Sequence, residues 1–147
     1  EAGEGVRNFT RVEQCMTTDL FTVNENELVE FVANLMDWQR IQHVPVEDNE
    51  HRLVGIVSHR RLLDYLVDQE SGDPDDQSTT VGDIMVKEPT SVAPDTPTLE
   101  AIKLMREQQI GALPVEQDGH LIGIVTETDF MQIAEQLMEE LAAREEE

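Results

Sequence analysis

The sequence predicts an α+β protein built from two copies of one β-α-β-β-α unit. Three landmarks occur twice in the same order, with the later copy 69, 69 and 68 residues after the earlier one. Because the landmarks differ in kind, their recurrence at almost constant spacing indicates a duplication. The matching pairs are "CMTTDLFTV" (15–23) with "IMVKEPTSV" (84–92), "HVPVE" (43–47) with "ALPVE" (112–116), and "LVGIVS" (53–58) with "LIGIVT" (121–126).

Each unit is predicted to open with a short helical turn. Thr10 with Glu13 in the first copy, and Thr80 with Asp83 in the second, have the spacing of a capping box. In this arrangement a side chain accepts hydrogen bonds from free amides, and the acid lies near the positive end of the helix. A brief extended segment follows in each copy, "LFTV" and "TSV".

An amphipathic helix is predicted next, because apolar residues recur three and four positions apart. In the second copy, Thr96 is the expected N-cap, Pro97 takes the first helical position and Gly111 ends the helix. The residues with this spacing are Leu28, Phe31, Val32, Leu35 and Met36 in the first copy, and Leu99, Ile102, Leu104 and Met105 in the second.

Two short strands and a final helix complete each unit. "VPVE" and "LPVE" are predicted strands that their proline confines to a sheet edge or a strand start. Turns at 48–50 and 118–119 lead into "RLVGIV" and "HLIGIV", which are rich in β-branched residues. The last helices begin after Ser58 and Thr126. The predicted organisation is repeat 1 over 10–68, an acidic linker over 69–79 and repeat 2 over 80–141.

The length and hydropathy suit an intracellular globular protein. With 147 residues, 39% of them hydrophobic, the chain is long enough for one compact domain or two small halves that share a core. No apolar run approaches the roughly 20 residues that span a bilayer. The opening "EAGEGVRNFT" is polar and shows no signal-peptide pattern. We therefore expect a cytoplasmic location, and a trimmed chain or a piece of a longer one.

The charge balance excludes two classes of partner. The chain has 32 acidic and 10 basic residues, a net charge of −22. Nucleic acids and anionic membranes are unfavourable partners, because phosphate contacts need clustered Lys and Arg. Adaptation to a salty cytoplasm and a merely well-solvated surface both explain the acidity. The single Cys15 excludes an internal disulfide, and its repeat partner Ile84 indicates a small buried hydrophobe.

The three landmarks, in order and twice, resemble the CBS-domain family in its tandem form, the Bateman module. The resemblance covers roughly residues 10–141. It implies two small three-stranded sheets packed across a pseudo-twofold axis, with clefts between the repeats, and a flat, disc-like homodimer. It also implies a regulatory module that binds an adenosine derivative (AMP, ADP, ATP or S-adenosylmethionine) and controls a fused or partner enzyme, channel or transporter. No other cofactor is implied.

The closing motif of the second copy, "GIVTETD", is the expected ribose site. Thr126 and Asp129 match the family's hydroxyl-x-x-Asp pattern. An ionised carboxylate accepts strong hydrogen bonds from vicinal hydroxyls, and residues three apart lie on nearly one helical face. Gly123 leaves room for another group to approach. The alternative is that Thr126 only caps a helix, with Asp129 in its first turn.

The resemblance also implies a base pocket in the second copy. Backbone groups there would read an adenine edge while apolar side chains cover its faces. Ordinary core packing is the alternative, above all for Val92 and Leu113. The residues concerned are Ser91, Val92, Ile110, Ala112, Leu113 and Pro114.

The first copy departs from the ribose motif. Ser58 keeps the hydroxyl, but Arg61 replaces the aspartate, and a guanidinium cannot accept from a ribose diol. With His59 and Arg60 it forms the densest positive cluster in the chain, which suits the phosphates of a ligand. The alternative is that these residues form a solvated helix start, with the arginines paired to acidic side chains on the surface. We expect one good nucleoside site, in the second copy.

A catalytic role has the least support, so we expect no enzyme activity and no metal site. None of the four histidines has a metal-ligand spacing. The adjacent Ser58 and His59 lack an orienting third group, and no phosphate loop or dinucleotide fingerprint is present. Two other roles stay open: a ligand-independent dimerisation module, which the altered first motif favours, and metal binding through clustered acids.

Overall fold

The computed structural model describes residues 9–69 and 79–145, which form two compact units. One unit spans Phe21–Pro89, and the other combines the residues up to Leu20 with those from Thr90 onward. The opening segment of each repeat therefore belongs to the unit that holds the strands of the other repeat. Most of the predicted acidic linker over 69–79 lies outside the described residues, and the boundaries assigned to the repeats stay predictions.

The unit of residues 21–89 contains a four-stranded sheet in the order β1-β2-β3-β4. Strand β1 pairs parallel with β2, whereas β2 with β3 and β3 with β4 are antiparallel. The strands are β1 (Val23–Asn24), β2 (His43–Glu47), β3 (Leu53–Ser58) and β4 (Val86–Lys87). The helices are α1 (Val29–Gln39), α2 (His59–Gln69) and the single-turn α3 (Val81–Ile84).

The other unit is built around an antiparallel hairpin. Its strands turn at Asp118 and Gly119, both with positive φ. Isolated bridges extend the hairpin on both sides, from Val92 to Val115 and from Thr17 to Ile124. The elements are a 3₁₀ turn (Val12–Gln14), α4 (Thr98–Gln108), β5 (Ala112–Gln117), β6 (His120–Thr126) and α5 (Glu127–Glu145). The predicted β-α-β-β-α order is confirmed in both copies. The sheets have four and two strands instead of three each, because Thr17 and Val92 form only isolated bridges to the hairpin.

Each unit has its own apolar core, formed where its first long helix packs on its strands. In the unit of residues 21–89 the fully buried side chains include Val32, Val44, Val46, Val57 and Val81. In the other unit they are Val12, Leu113, Val115 and Val125, together with Ala101. Val12 and Val81 occupy matching positions of the repeat, so each opening turn supplies a valine to the core of its unit.

A methionine fills the space above a strand glycine in each unit. A β-carbon at Gly123 would lie 2.6 Å from Sδ of Met16 and 3.1 Å from the carbonyl oxygen of Thr17. At Gly55 it would overlap Sδ of Met85 and lie 2.9 Å from the carbonyl oxygen of Val86. The close approach that the sequence predicted at Gly123 is therefore made by the chain's own opening segment.

The opening turns confirm one predicted capping box and alter the other. The backbone N–H and hydroxyl of Thr80 both donate to Oδ2 of Asp83, and the N–H bond chiefly holds the pKa of that carboxyl below its usual value. In the first copy the acceptor is Gln14 instead of Glu13. Its Oε1 accepts from the backbone N–H of Arg11 (2.8 Å) and from the hydroxyl of Thr10 (3.2 Å).

The ends of helix α4 differ from the prediction. The helix begins at Thr98 with Pro97 at the cap position, and the hydroxyl of Thr96 accepts from the backbone N–H of Ala93 instead. It ends before Gln109, whose left-handed backbone (φ 55°) closes the last turn, so Gly111 is not the terminator. Arg40 ends α1 in the same conformation, so both copies use a non-glycine residue there.

We expect Gln109→Gly to raise the free energy of unfolding by about 0.5–1 kcal/mol, because glycine adopts the left-handed conformation without the steric cost of a β-carbon. Gln108→Gly, one residue earlier inside the helix, should lower it by about 1 kcal/mol. Urea unfolding of both variants measures the difference. Destabilisation by Gln109→Gly would contradict the account of this helix end.

Among residues 9–69 and 79–145, no helix combines the length and apolar character needed to cross a bilayer.

Candidate functional site

The Thr126–Asp129 corner lies where strand β6 ends and helix α5 begins. The backbone N–H of Thr126 donates to Oδ2 of Asp129 (2.8 Å), and its hydroxyl donates to the same oxygen (3.2 Å). Both side chains are half-buried. Asp129 therefore caps the start of α5, as the capping alternative expected, and this bond fixes the carboxylate at the rim of the sheet.

A third hydrogen bond reaches Asp129 from the opening segment. The hydroxyl of Thr17 donates to Oδ1 (3.0 Å), while the backbone of Thr17 exchanges two hydrogen bonds with that of Ile124 on β6 (2.8 and 3.0 Å). A carboxylate offers about four acceptor positions, so these three bonds leave one, on Oδ1. Asp129 can therefore keep the hydrogen bonds that cap α5 and still accept one hydrogen bond from a ligand hydroxyl.

The predicted base-pocket residues surround the hairpin to different depths. Ala112 pairs with Thr126 across the sheet, which places its backbone next to the corner. Leu113 has an exposed fraction of 0% and packs in the core, as the core-packing alternative expected. Ser91 and Val92 lie on the opposite edge of β5, about one strand spacing from β5 and about two from β6. Ile110 is half-buried between α4 and β5.

Polar groups fix the edge formed by Ser91 and Val92. The hydroxyl of Ser91 donates to Oε2 of Glu116 (2.6 Å), and the N–H of Val92 donates to the carbonyl oxygen of Pro114 (3.0 Å). The side chains of Ala112, Leu113 and Pro114 are buried, so they are not accessible to a ligand. A flat ligand could contact mainly main-chain atoms here, together with the edges of Ile110 and Val92.

The equivalent corner of the other unit carries Arg61. Its backbone N–H donates to Oγ of Ser58 (3.1 Å), and its Nε donates to the carbonyl oxygen of Ile84 (2.7 Å). His59, Arg60 and Arg61 are exposed. Arg61 therefore connects the start of α2 to the last residue of α3, whereas Asp129 connects the start of α5 to Thr17, which follows the 3₁₀ turn.

The corner residue is negatively charged in one unit (Asp129) and positively charged in the other (Arg61), and each charge suits the group that the side chain contacts. Val86 pairs with Ile56 as Thr17 pairs with Ile124, so Val86 and Thr17 occupy matching positions. Valine has no hydroxyl to offer a carboxylate, and the guanidinium donates to a backbone carbonyl instead. Sequence reasoning missed Thr17. The available signal was the change from Thr17 to Val86 between the copies.

Cys15 lies beside this corner and is half-buried. Its thiol contacts the carbonyl oxygen of Arg11 (3.5 Å) and the hydroxyl of Thr98 (3.5 Å). Burial raises the pKa of the thiol, the hydrogen bond with Thr98 partly offsets this, and the charge of Asp129 raises it further. The sequence predicted a small buried hydrophobe. Cys15 packs against the core of its unit, but it is only half-buried and its thiol contacts polar groups.

We expect Cys15 to react with N-ethylmaleimide more slowly than the thiol of the unfolded chain at pH 7.5. A raised pKa leaves less thiolate at any given pH, and the thiolate is the reactive form. The rate should continue to rise with pH beyond the ordinary thiol pKa. Labelling of the same protein in urea is the control, and equal rates in the two conditions would contradict the assignment.

Within the described ranges, no group of three or more His, Cys, Asp or Glu side chains is placed to hold a metal ion. Charged and polar side chains meet at the exposed β2–β3 turn, where Nδ1 of His51 lies 3.1 Å from Oε2 of Glu47 and the guanidinium of Arg52 lies 3.3 Å from Oε2 of Glu50. These contacts are local to the turn.

A protein-family model for the CBS domain matches the chain twice, over residues 12–68 and 81–135. A CBS domain-containing protein of Dictyostelium discoideum is 31% identical over 137 residues, which is 87% of this chain and 93% of that protein. The inosine-5′-monophosphate dehydrogenase of Methanocaldococcus jannaschii is 30% identical over 127 residues. This alignment covers 86% of the chain and 24% of the enzyme, so the chain spans about a quarter of that relative.

Solved structures have the same fold. The AcuB protein of Vibrio cholerae superposes with a TM-score of 0.83 at 33% identity, covering 91% of this chain and 98% of that one. The protein CBSX2, solved in complex with AMP, superposes with a TM-score of 0.77 at 30% identity and covers 88% of this chain and 98% of its own.

Proposed function

Since the chain belongs to the CBS-domain family as a tandem pair, we propose that it is a regulatory module which binds an adenosine derivative at Thr126 and Asp129. Members of this family are generally regulatory modules instead of catalysts. The proposed output is control of a fused or partner protein, through a ligand that binds one of two states more tightly. The Dictyostelium relative is nearly the same length as this chain, and the dehydrogenases carry the module as a minor part.

The observation that carries the proposal is the carboxylate of Asp129. It is fixed by two hydrogen bonds from Thr126, is half-buried, and keeps an acceptor position on Oδ1. A charged acceptor that is held in place binds a sugar hydroxyl more strongly than a mobile one, because less side-chain entropy is lost. CBSX2, at 30% identity, was solved with AMP, which supports an adenosine ligand here.

We expect wild-type protein to bind one of AMP, ADP, ATP or S-adenosylmethionine in titration calorimetry, and Asp129→Asn to weaken that binding at least about tenfold. Asparagine loses the charge of Asp129 but keeps one acceptor oxygen. It can therefore still accept the hydrogen bonds from Thr126 that start α5, which alanine cannot. Glu127→Gln is the matched control, since Glu127 is exposed in the same helical turn. Absence of binding by the wild type, or unchanged binding by Asp129→Asn, would refute the site.

The remaining site residues complete the proposal. We propose that main-chain groups near Ala112 and Ile110 contact the base, with Ser91, Val92, Leu113 and Pro114 shaping that edge of β5. We propose separately that the corner of Ser58, His59, Arg60 and Arg61 binds phosphate oxygens, because Arg61 uses Nε for Ile84 and retains its terminal N–H groups as donors. Titration calorimetry with inorganic phosphate should then show weaker binding for Arg60→Gln than for the wild type.

Ligand-independent dimerisation is a second candidate function, favoured by the surface of helix α1. Trp38 is 82% exposed, and Phe31 and Leu28 are also exposed along the same helix. Large apolar side chains grouped on one surface are typical of interaction sites. A chain with net charge −22 meets a second copy most favourably at such an uncharged stripe. We propose a homodimer that buries Trp38.

We expect Trp38→Glu to convert the dimer into a monomer in multi-angle light scattering, with little change in the melting temperature of the monomer. Trp38 is the only tryptophan, so its fluorescence in the wild type should shift to longer wavelength on dilution. Arg40→Gln, an exposed change two residues away, shifts the net charge by the same one unit and controls for it. A wild-type monomer, or a dimer unaffected by Trp38→Glu, would refute this interface.

A further inference from the structure

The hydroxyl of Thr17 occupies the part of Asp129 that a ligand would use. Oδ2 is taken by the backbone N–H and the hydroxyl of Thr126, and these bonds start helix α5. Within residues 9–69 and 79–145, Oδ1 accepts only from the hydroxyl of Thr17, at 3.0 Å. Thr17 is exposed, so rotation of its side chain releases this bond without moving the backbone.

A ribose diol needs two acceptor positions, whereas Asp129 has about one unused. Displacing the donors on Oδ2 would undo the helix start, while displacing Thr17 breaks one exposed neutral hydrogen bond. This inference rests on the proposed function. We propose that Thr17 is a positioning residue: it holds Oδ1 of Asp129 in the free protein and gives up that oxygen when a ribose diol binds.

The other unit provides an internal comparison. Its matching residue is Val86, which has no hydroxyl, and its matching corner holds Arg61 instead of a carboxylate. The unit that has the carboxylate of Asp129 also has the hydroxyl of Thr17. The unit that has Arg61 at the matching corner has no hydroxyl at the position of Val86. This pairing is expected if Thr17 acts through Asp129 and serves no purpose without it.

When a ligand displaces Thr17, the opening segment loses one of the hydrogen bonds that hold it to the rest of its unit. Thr17 keeps its two backbone hydrogen bonds to Ile124, and Val12 stays in the core, so the segment remains in the unit. Its side-chain connection to the start of α5 is exchanged for a ligand contact. Cys15, two residues away and packed beside Thr98, reports on how firmly this stretch is held.

Three substitutions test the competition by calorimetry with AMP and 2′-deoxy-AMP. Thr17→Val removes the hydroxyl at nearly constant shape and should tighten AMP binding about fivefold, as expected for one released hydrogen bond of about 1 kcal/mol. Thr17→Ser and the exposed neighbour Thr18→Val should bind like the wild type. The preference for AMP over 2′-deoxy-AMP should increase in Thr17→Val, because both hydroxyls of the diol then find acceptors.

A ligand-free measurement separates this inference from the proposed function. Maleimide labelling of Cys15 should be faster in Thr17→Val than in Thr18→Val or the wild type, and equal rates would overturn the attachment. A wild type that binds AMP while Thr17→Val binds with unchanged or weaker affinity would overturn the competition alone. A wild type that binds none of the adenosine derivatives would overturn the proposed function and the competition with it.

Discussion

Leu113→Ala is expected to lower the free energy of unfolding by about 3 kcal/mol, as for other leucines truncated inside a packed core. Leu113 is fully buried on β5 and belongs to a cluster with Val12, Met105 and Val125. These neighbours come from three separate stretches of chain. Strand pairing and helix packing hold them in place, so they cannot collapse into the space that the truncation leaves.

This measurement also separates the two roles that the sequence allowed for Leu113. Urea unfolding gives the stability change, and calorimetry with an adenosine derivative gives the affinity. Leu99→Ala, at an exposed position of α4, is the control and should change stability by less than about 0.5 kcal/mol. Stability within about 1 kcal/mol of the wild type together with lost ligand binding would identify Leu113 as a pocket residue instead.

Gly55→Val is expected to cost about 3 kcal/mol, the upper end for overpacking a core. The added β-carbon would overlap Sδ of Met85 and lie 2.9 Å from the carbonyl oxygen of Val86. The methionine side chain can rotate away, but the carbonyl belongs to β4, which pairs with β3 at this position. Relief therefore requires the two strands to separate.

The control for Gly55→Val is Gly119→Asn. Gly119 has a positive φ of 82° and no atom within 4 Å of an added β-carbon, and asparagine adopts such backbones readily. Its stability should stay within about 0.5 kcal/mol of the wild type in urea unfolding. A Gly55→Val protein as stable as Gly119→Asn would show that the contact with β4 is loose.

The sequence could predict the fold because a duplication supplies its own alignment. Three landmarks of different kinds fixed the order of the elements, and the order is confirmed. Local signals at helix ends were less informative. Thr96 and Gly111 carry favourable cap chemistry, yet competing local interactions use other residues. The hydroxyl of Thr96 accepts from the backbone N–H of Ala93, and Gln109 takes the left-handed turn two residues before Gly111.

The candidate site could be predicted only in part. The spacing of Thr126 and Asp129 indicated both a helix cap and a ligand site, and the cap is now visible while the ligand stays a proposal. The contribution of Thr17 was missed, because Thr17 lies 112 residues from Asp129 in the chain and the sequence carried only the change from Thr17 to Val86 between the copies as a signal. No local pattern connects them. Only the pairing of the opening segment with β6 brings the two side chains together.

The division of the chain between its units has a consequence for how the protein is made. Residues 21–89 form one continuous unit, which can fold as soon as the ribosome has released it. The other unit begins with residues near Val12 and is finished only when β6 and α5 have emerged. Its opening segment must wait through most of synthesis, and closing such a long loop slows folding. We therefore expect the unit of residues 21–89 to fold first.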